Sequence, residues 1–335
     1  IKVLSGLRTD EHQAAQDGRF RFRLKEAGDV NFDIRVSIEP TFYGENAVMR
    51  LLVEHGEDYT LETIGFSPRD LEVVKKAINK PYGMILATGP TGSGKTTTLY
   101  TILKILNTEE VSIITIEDPI EYSIKGIDQI QVNQQTGLTF ANGLRSILRQ
   151  DPNIIMVGEI RDEETASIAV NAALTGHLLL STIHTNDAAT TLPRLIEMKV
   201  EPFLIASTVN IAVGQRLVRR ICQECKTEKK LSIAEIQGLA TVIPKEILEK
   251  NKTHVFYYGK GCKECIKTGY RGRIGLHEVL EVTDTIREAI MKRLNANEIK
   301  EIARSEGMTS MLEDGFDKAI KGITTIEEIL RVIHE

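Results

Sequence analysis

Apolar and polar residues alternate with strand periodicity over residues 19–53. Phe20, Phe22 and Leu24 stand against Arg19, Arg21 and Arg23, and Phe32, Ile34, Val36 and Ile38 continue the pattern. Gly28-Asp29 reads as a hairpin turn and the run from Asn46 to Val53 as a further strand. Residues 1–58 are therefore expected to form a small mixed domain. The chain opens on Ile1, already inside this periodicity, which predicts an upstream region. Two groups of chain punctuators, His55-Gly56-Glu57-Asp58 and Gly65-Phe66-Ser67-Pro68, predict a linker over 59–68. Ser67 then caps a helix that has Pro68 at its first position, with Leu71, Val74, Ala77 and Ile78 as its apolar stripe.

From Tyr82 the pattern changes to strand, glycine turn, helix, strand. The strands at 84–88, 112–116, 154–158 and 178–182 are nearly continuous apolar or β-branched runs, as in a parallel sheet buried on both faces. This predicts an α/β core over 69–217. The end of the chain, 276–335, reads as helical. Thr283 or Asp284 can cap a helix carrying Ile286, Ala289, Ile290 and Leu294, and Thr324 with Glu327 predicts a capping box ahead of Ile329, Leu330 and Ile333.

The turn after the first core strand carries the chemistry. Gly89-Pro90-Thr91-Gly92-Ser93-Gly94-Lys95-Thr96 fits the phosphate-binding pattern G-x-x-x-x-G-K-[ST] in full, between a strand and a helix. Its glycines let successive backbone N–H groups point at a phosphate, and the following helix adds its positive end. Lys95 is expected to reach the β- and γ-phosphates of ATP and Thr96 to hold Mg²⁺, with Thr97 assigned to the same nucleotide site. Glu117 and Asp118 end one buried strand, and Glu159 ends another, followed by Arg161-Asp162. Ligands gather at the C-terminal ends of parallel strands, so these carboxylates should face the site. Glu159 is assigned as the base that polarises the attacking water, and Glu117 to Mg²⁺ or water positioning. Gly158 occupies the place where the Mg²⁺-side Asp commonly precedes such a base, leaving metal help to Thr96, water or Glu117-Asp118. His177 and His184 bracket the next strand, and the run from Thr182 to Asp187 reads as a sensor of the γ-phosphate.

All four cysteines fall in two C-x-x-C pairs, Cys222/Cys225 and Cys262/Cys265. That spacing predicts a structural Zn²⁺ site of four thiolates, with a redox pair of motifs or an iron–sulfur centre as alternatives. Arg216, Arg219, Arg220, Lys226, Lys229 and Lys230 surround the first pair, while Glu235, Glu246 and Glu249 stand in the spacer. A protein-docking patch explains this as well as a nucleic-acid site does. The formal charge of −5 argues against a broad nucleic-acid surface, and no stable nucleic-acid partner is expected. No run of eighteen apolar residues and no signal-peptide pattern is present, so the reading is cytoplasmic unless a partner holds the chain at a membrane.

These motifs together carry a resemblance. The P-loop is followed by Ile116-Glu117-Asp118-Pro119-Ile120-Glu121, then by the string from Leu148 to Asp162 containing Gly158-Glu159, then by Thr175-Gly176-His177 and the string from Ser181 to Asp187. In this order they resemble the GspE/PilB-like traffic ATPases of type II secretion and type IV pilus assembly. The resemblance implies a RecA-like P-loop core and a small PAS-like α+β domain over 1–58. It also implies an inserted four-cysteine zinc subdomain over 218–275 and a C-terminal helical region over 276–335. It makes Gly158 a family feature, and it disfavours the retraction ATPases, which generally lack the four cysteines. It further implies a homohexamer that hydrolyses ATP with Mg²⁺ and works on an inner-membrane platform protein and a cytoplasmic docking protein, peripheral to the membrane through them. A pilus retraction or DNA-uptake motor of the same superfamily is the alternative, and a nucleic-acid translocase with a zinc module is the rival from another class. Arg35 and Arg50 match the two family positions whose guanidinium groups reach a nucleotide on closure. Arg21 and Arg23 are secondary candidates, lying where the aromatic-rich pattern departs from the family's aliphatic one.

Overall fold

The computed structural model describes residues 1–24, 30–53, 59–232, 236, 238–239, 245–248 and 255–334. The Gly28-Asp29 turn, the punctuators His55 to Asp58, and Glu235 and Glu249 lie outside them. The chain divides into two compact units, Ile1–Asp58 and Tyr59–Glu335.

In the smaller unit, β1 (Gln16–Leu24), β2 (Val30–Thr41) and β3 (Gly44–Val53) form an antiparallel sheet in that order. Period-two alternation sends Ile34, Val36 and Ile38 to a buried face, where Leu7 and Phe20 pack on them. The described residues of this unit contain three strands and no helix, so it is β-rich where an α+β domain was expected.

The larger unit begins with α1 (Pro68–Ile78), β4 (Gly83–Thr88), α2 (Lys95–Leu106), β5 (Ile113–Glu117), β6 (Asp128–Gln131), α3 (Phe140–Ile147), β7 (Ile154–Val157), α4 (Glu163–Leu174) and β8 (Leu178–Ile183). Next come α5 (Thr191–Glu197), α6 (Pro202–Thr208), β9 (Val209–Ile221), β10 (Lys226–Lys230), α7 (Lys245–Leu248), β11 (Val255–Gly259) and β12 (Tyr270–Glu281). Four helices close the chain: α8 (Asp284–Met291), α9 (Ala296–Ser305), α10 (Met311–Ile320) and α11 (Ile326–His334).

Seven strands form one sheet in the order β12-β9-β4-β8-β7-β5-β6, parallel except for β12 against β9. Along β4, Met84 and Leu86 enter one apolar cluster with α3, α4, α6, α8 and α9, while Ile85 and Ala87 enter another with α1 and α2. Both faces are covered, which is why these strands read as continuous apolar runs. This is the RecA-like arrangement. The outer halves of β9 and β12 leave that sandwich. Val218, Ile274 and Leu276 join Phe256 of β11 and Phe316, Ile326 and Ile329 of the last two helices in a third cluster. The closing helices are thus shared, α8 and α9 with the main core and α10 and α11 with the side bearing the cysteines.

Residues 59–66, read above as part of a linker, pack into the larger unit. Leu61, Ile64 and Phe66 are buried in the α1–α2 cluster, and Phe66 stacks on His277 with ring centroids 4.0 Å apart. Gly65 allows close packing there, because a Cβ would lie 2.7 Å from Ile274. Ser67 caps α1 as expected, accepting from the Asp70 N–H, and Thr283 caps α8. At α11 the capping shifts by one residue from the expected Thr324–Glu327 pair. The Thr325 hydroxyl accepts from the Glu328 N–H, while Thr324 donates to the Arg219 carbonyl. The reason lies across the chain: Glu328 accepts from both the backbone N–H and the guanidinium of Arg219.

That contact also bears on the basic patch. Arg216 is buried, Arg219 pairs with Glu328 and lies over Tyr270, and Lys226 lies over Tyr257. Their charges are engaged within the fold. Among the described residues no helix is long and apolar enough to cross a membrane.

Candidate nucleotide site and metal centre

The P-loop joins the C-terminal end of β4, an inner strand flanked by β9 and β8, to α2. Gly89, Gly92 and Gly94 all take positive φ, at 142°, 79° and 90°. At Gly89 the requirement is also steric, since a Cβ would lie 2.4 Å from the Gln215 carbonyl oxygen and 2.7 Å from Ser93 Oγ. Lys95 is buried and folds back on its own loop, its Nζ donating to the carbonyls of Gly89 at 2.8 Å and Pro90 at 3.0 Å. Burial pushes the Lys95 pKa down, opposed by the charge of Glu159. Ser93 Oγ is buried without a hydrogen-bond partner. An orphaned hydroxyl beside a positive-φ glycine turn at the start of a twelve-residue helix is the signature of a cradle for an anion. Pro90, Thr91 and Gly92 form its exposed lip, and Thr96 and Thr97 are half-buried in the first turn of α2.

Glu159 follows β7 and is 8% exposed. Its Oε2 receives Arg161 Nε at 2.5 Å and His184 Nε2 at 3.1 Å. The structure therefore joins Glu159 and His184. His177 sits at the other end of β8, its Nδ1 2.8 Å from the Ala172 carbonyl at the close of α4, and it is not brought to this cluster. The segment after β8 is tied to the root of the P-loop: the Thr185 N–H donates to Thr88 Oγ1 at 3.0 Å, and Thr88 Oγ1 donates to the Thr185 carbonyl at 2.8 Å. Asp187 then caps the Thr190 N–H and meets Lys300 of α9 at 3.4 Å. Polar contacts thus run from Thr88 at the end of β4 through Thr185 and Asp187 to Lys300 of α9.

Glu117 is placed differently from its neighbour. It is 2% exposed and accepts from Tyr100 OH, from Thr115 Oγ1 at 2.6 Å and from Gln129 Nε2 at 3.1 Å, while Asp118 is exposed. Burial, then the Glu117 charge, raises the Tyr100 pKa. The network fixes β5 against β6 and α2. Tyr100→Phe leaves one Glu117 bond unmade in a dry site, and is expected to lower unfolding free energy by about 1–3 kcal/mol. Urea melts of the two proteins measure it, and equal midpoints would remove this role.

The four cysteine Sγ atoms lie within 4.8 Å of one another. The pairs Cys222/Cys262 and Cys225/Cys265 are each 3.8 Å apart, and Cys262/Cys265 3.6 Å. Thiolates about 2.3 Å from a tetrahedral Zn²⁺ stand about 3.8 Å from each other, so the donor set fits that ion. Cys265 Sγ also accepts from the N–H groups of Cys262 at 3.1 Å and Gly269 at 3.3 Å, which hold its pKa down.

In the smaller unit, Arg35 and Arg50 stand directly opposite on β2 and β3, and Arg19 stands opposite Arg35 on β1. Three arginines thus share one register and one face of the sheet. The resemblance points to Arg35 and Arg50. Arg19 was visible only as part of an alternating run, because pairing register is a property of the folded sheet.

A family model described as Type II/IV secretion system protein matches residues 1–331. The chain belongs to that family. Similar curated proteins include the type IV pilus assembly ATPase PilB of Thermus thermophilus, 51% identical over 98% of this chain and 36% of that protein. Another is type II secretion system protein E of Xanthomonas campestris, 46% identical over the whole chain and 58% of that protein. The chain therefore spans between about a third and three-fifths of the length of these relatives. Among solved structures, the pilus retraction motor PilT with bound ADP superposes with a TM-score of 0.67 at 27% identity, over 94% of this chain and 77% of that one. The Legionella pneumophila ATPase DotB, at 24% identity and a TM-score of 0.66 over 96% of this chain and 78% of that one, shares the fold. At Gly158 a Cβ would lie 3.3 Å from the Glu117 backbone, so a small residue lets β7 end close against β5.

Proposed function

We propose that this chain is the motor portion of a secretion or pilus-assembly ATPase, hydrolysing ATP to ADP and phosphate. The observation that carries the reading is the orphaned Ser93 hydroxyl in a preformed phosphate cradle, with Glu159 held at the end of a strand of the same sheet. In this reading the β- and γ-phosphates occupy the loop from Gly89 to Thr96, and Lys95 exchanges its two carbonyl partners for phosphate oxygens. Thr96 would hold Mg²⁺, which when bound neutralises charge on the phosphoryl oxygens. Glu159 takes the proton of the attacking water, and His184 orients its carboxylate. The exposed Asp118 is better placed than Glu117 to meet the metal's waters. The arginine row of the smaller unit is the kind of group that offsets charge on a transferring phosphoryl.

Six copies in a ring, acting on a membrane platform and docking protein, are the arrangement we carry over from the family. The four-cysteine centre and the names of the relatives favour assembly or secretion over retraction. The test is the Mg²⁺-ATPase rate against protein concentration, with mass in solution, for the parent and Arg50→Ala. A rate that rises with assembly and falls about 10³-fold in the variant supports a shared site, as for an arginine supplied to a phosphoryl group. A concentration-independent rate in a monomer, with Arg50→Ala harmless, leaves a P-loop hydrolase without a ring.

A further inference from the structure

Strand β9 runs beside β4, and Gln215 is where it meets the P-loop. The residue is 2% exposed, and both ends of its side-chain amide are used. Nε2 donates to the Ser93 carbonyl at 2.8 Å, and Oε1 accepts from the Thr98 hydroxyl at 3.0 Å. Its own carbonyl oxygen is the atom that forbids a Cβ on Gly89. The entry of the loop, its last turn and the first turn of α2 therefore all rest on one residue.

We propose that Gln215 is a positioning residue for nucleotide, setting the affinity of the loop for phosphate rather than the rate of the chemical step. An anion nest turns consecutive N–H groups inward, and this turns carbonyls outward into the protein, where each needs a donor. Gln215 supplies that donor to Ser93, the residue whose hydroxyl is the orphan of the site. By accepting from Thr98 it also fixes the start of α2, whose N–H groups and Thr96 complete the cradle. Neither bond touches a reacting atom, so losing them loosens the loop and leaves Glu159 and His184 in place. A glutamate keeps the acceptor and loses the donor, whereas a methionine of similar length loses both. The inference rests on the nucleotide-binding reading above.

The experiment compares wild type, Gln215→Met, Gln215→Glu and Thr98→Val. The readouts are equilibrium binding of a fluorescent ATP analogue, kcat and KM for ATP, and melting without nucleotide. The expected result is a rise of about tenfold in both Kd and KM for the two Gln215 variants, which lose the donor to the loop itself, of roughly threefold for Thr98→Val, which loses only the bond to α2, and kcat within about threefold throughout, since a lost buried bond is worth about two- to thirteenfold. A merely structural role lowers the nucleotide-free melting temperature without splitting KM from kcat, and that outcome overturns the proposal. Unchanged Kd in Gln215→Met also overturns it. Should the Gln215 variants fail to fold, Thr98→Val decides by the same split. If wild type itself binds no nucleotide, the functional reading falls and this inference with it; wild-type binding with indifferent variants removes the inference alone.

Discussion

Glu159→Gln is expected to lower kcat for Mg²⁺-ATP hydrolysis by about 10²–10⁴-fold, the usual contribution of a positioned base, with nucleotide affinity close to wild type. The substitution keeps the shape of a side chain that is 8% exposed and preserves an acceptor for His184 Nε2 at 3.1 Å. It removes the charge and the proton-accepting power together. Lys95→Ala is the informative partner, because it should lose binding as well as turnover. Kd from a fluorescent analogue and steady-state kcat separate the two. A Glu159→Gln protein turning over at the parent rate would move the base elsewhere, and the exposed Asp118 would be examined next.

Loss of the cysteine centre should be the largest structural effect. Cys265→Ser removes a ligand that accepts two backbone N–H groups, and the remaining three thiols face each other across less than 4.8 Å. The parent is expected to purify with one zinc equivalent and the variant without it, as measured by elemental analysis. Local stability of β10 and β11 should fall by about 4 kcal/mol, roughly 10³-fold in amide exchange, which is a modest share of the binding energy of structural zinc. The parallel strands should keep their protection, since Met84, Ile155 and Leu179 belong to an apolar cluster that the cysteines do not enter. Unchanged exchange in a metal-free protein would show that packing around Phe256 and Phe316 suffices.

The parts of this molecule legible in its sequence are those whose signal is local. The P-loop is a contiguous string, the buried parallel strands are apolar on both faces, and Ser67 sits directly before its helix. What escaped depends on partners distant in the chain. Strand β9 was divided between the core and the cysteine subdomain, because its inner half is buried in the sheet and its outer half carries Arg219 and Arg220. Leu61, Ile64 and Phe66 lie between glycine-containing turns in the sequence, and their burial comes from the α1–α2 cluster and, for Phe66, from His277 far along the chain. Glu117 was read from its place at a strand end, yet its setting comes from Tyr100 and Gln129, which no motif singled out. Gln215 belongs to the same class: one polar letter in a strand, given meaning by Ser93 and Thr98 far upstream.

The excursion between β9 and β12 has a consequence for how the sheet is completed. Strand β12 must find β9 after the chain has travelled from Ile221 to Tyr270, and closing such a loop opposes pairing before any contact rewards it. The two cysteine pairs stand at the feet of that excursion, Cys222 directly after β9 and Cys265 shortly before β12. An ion held by all four would fasten the feet together, and the length of chain between them would then weigh little on the pairing of β9 with β12. Each doubling of a flexible loop costs only about 0.6 kcal/mol even when it is free. Chain length added between the two cysteine pairs would therefore place little extra closure cost on the pairing of β9 with β12, and so on the strand that supports the phosphate loop.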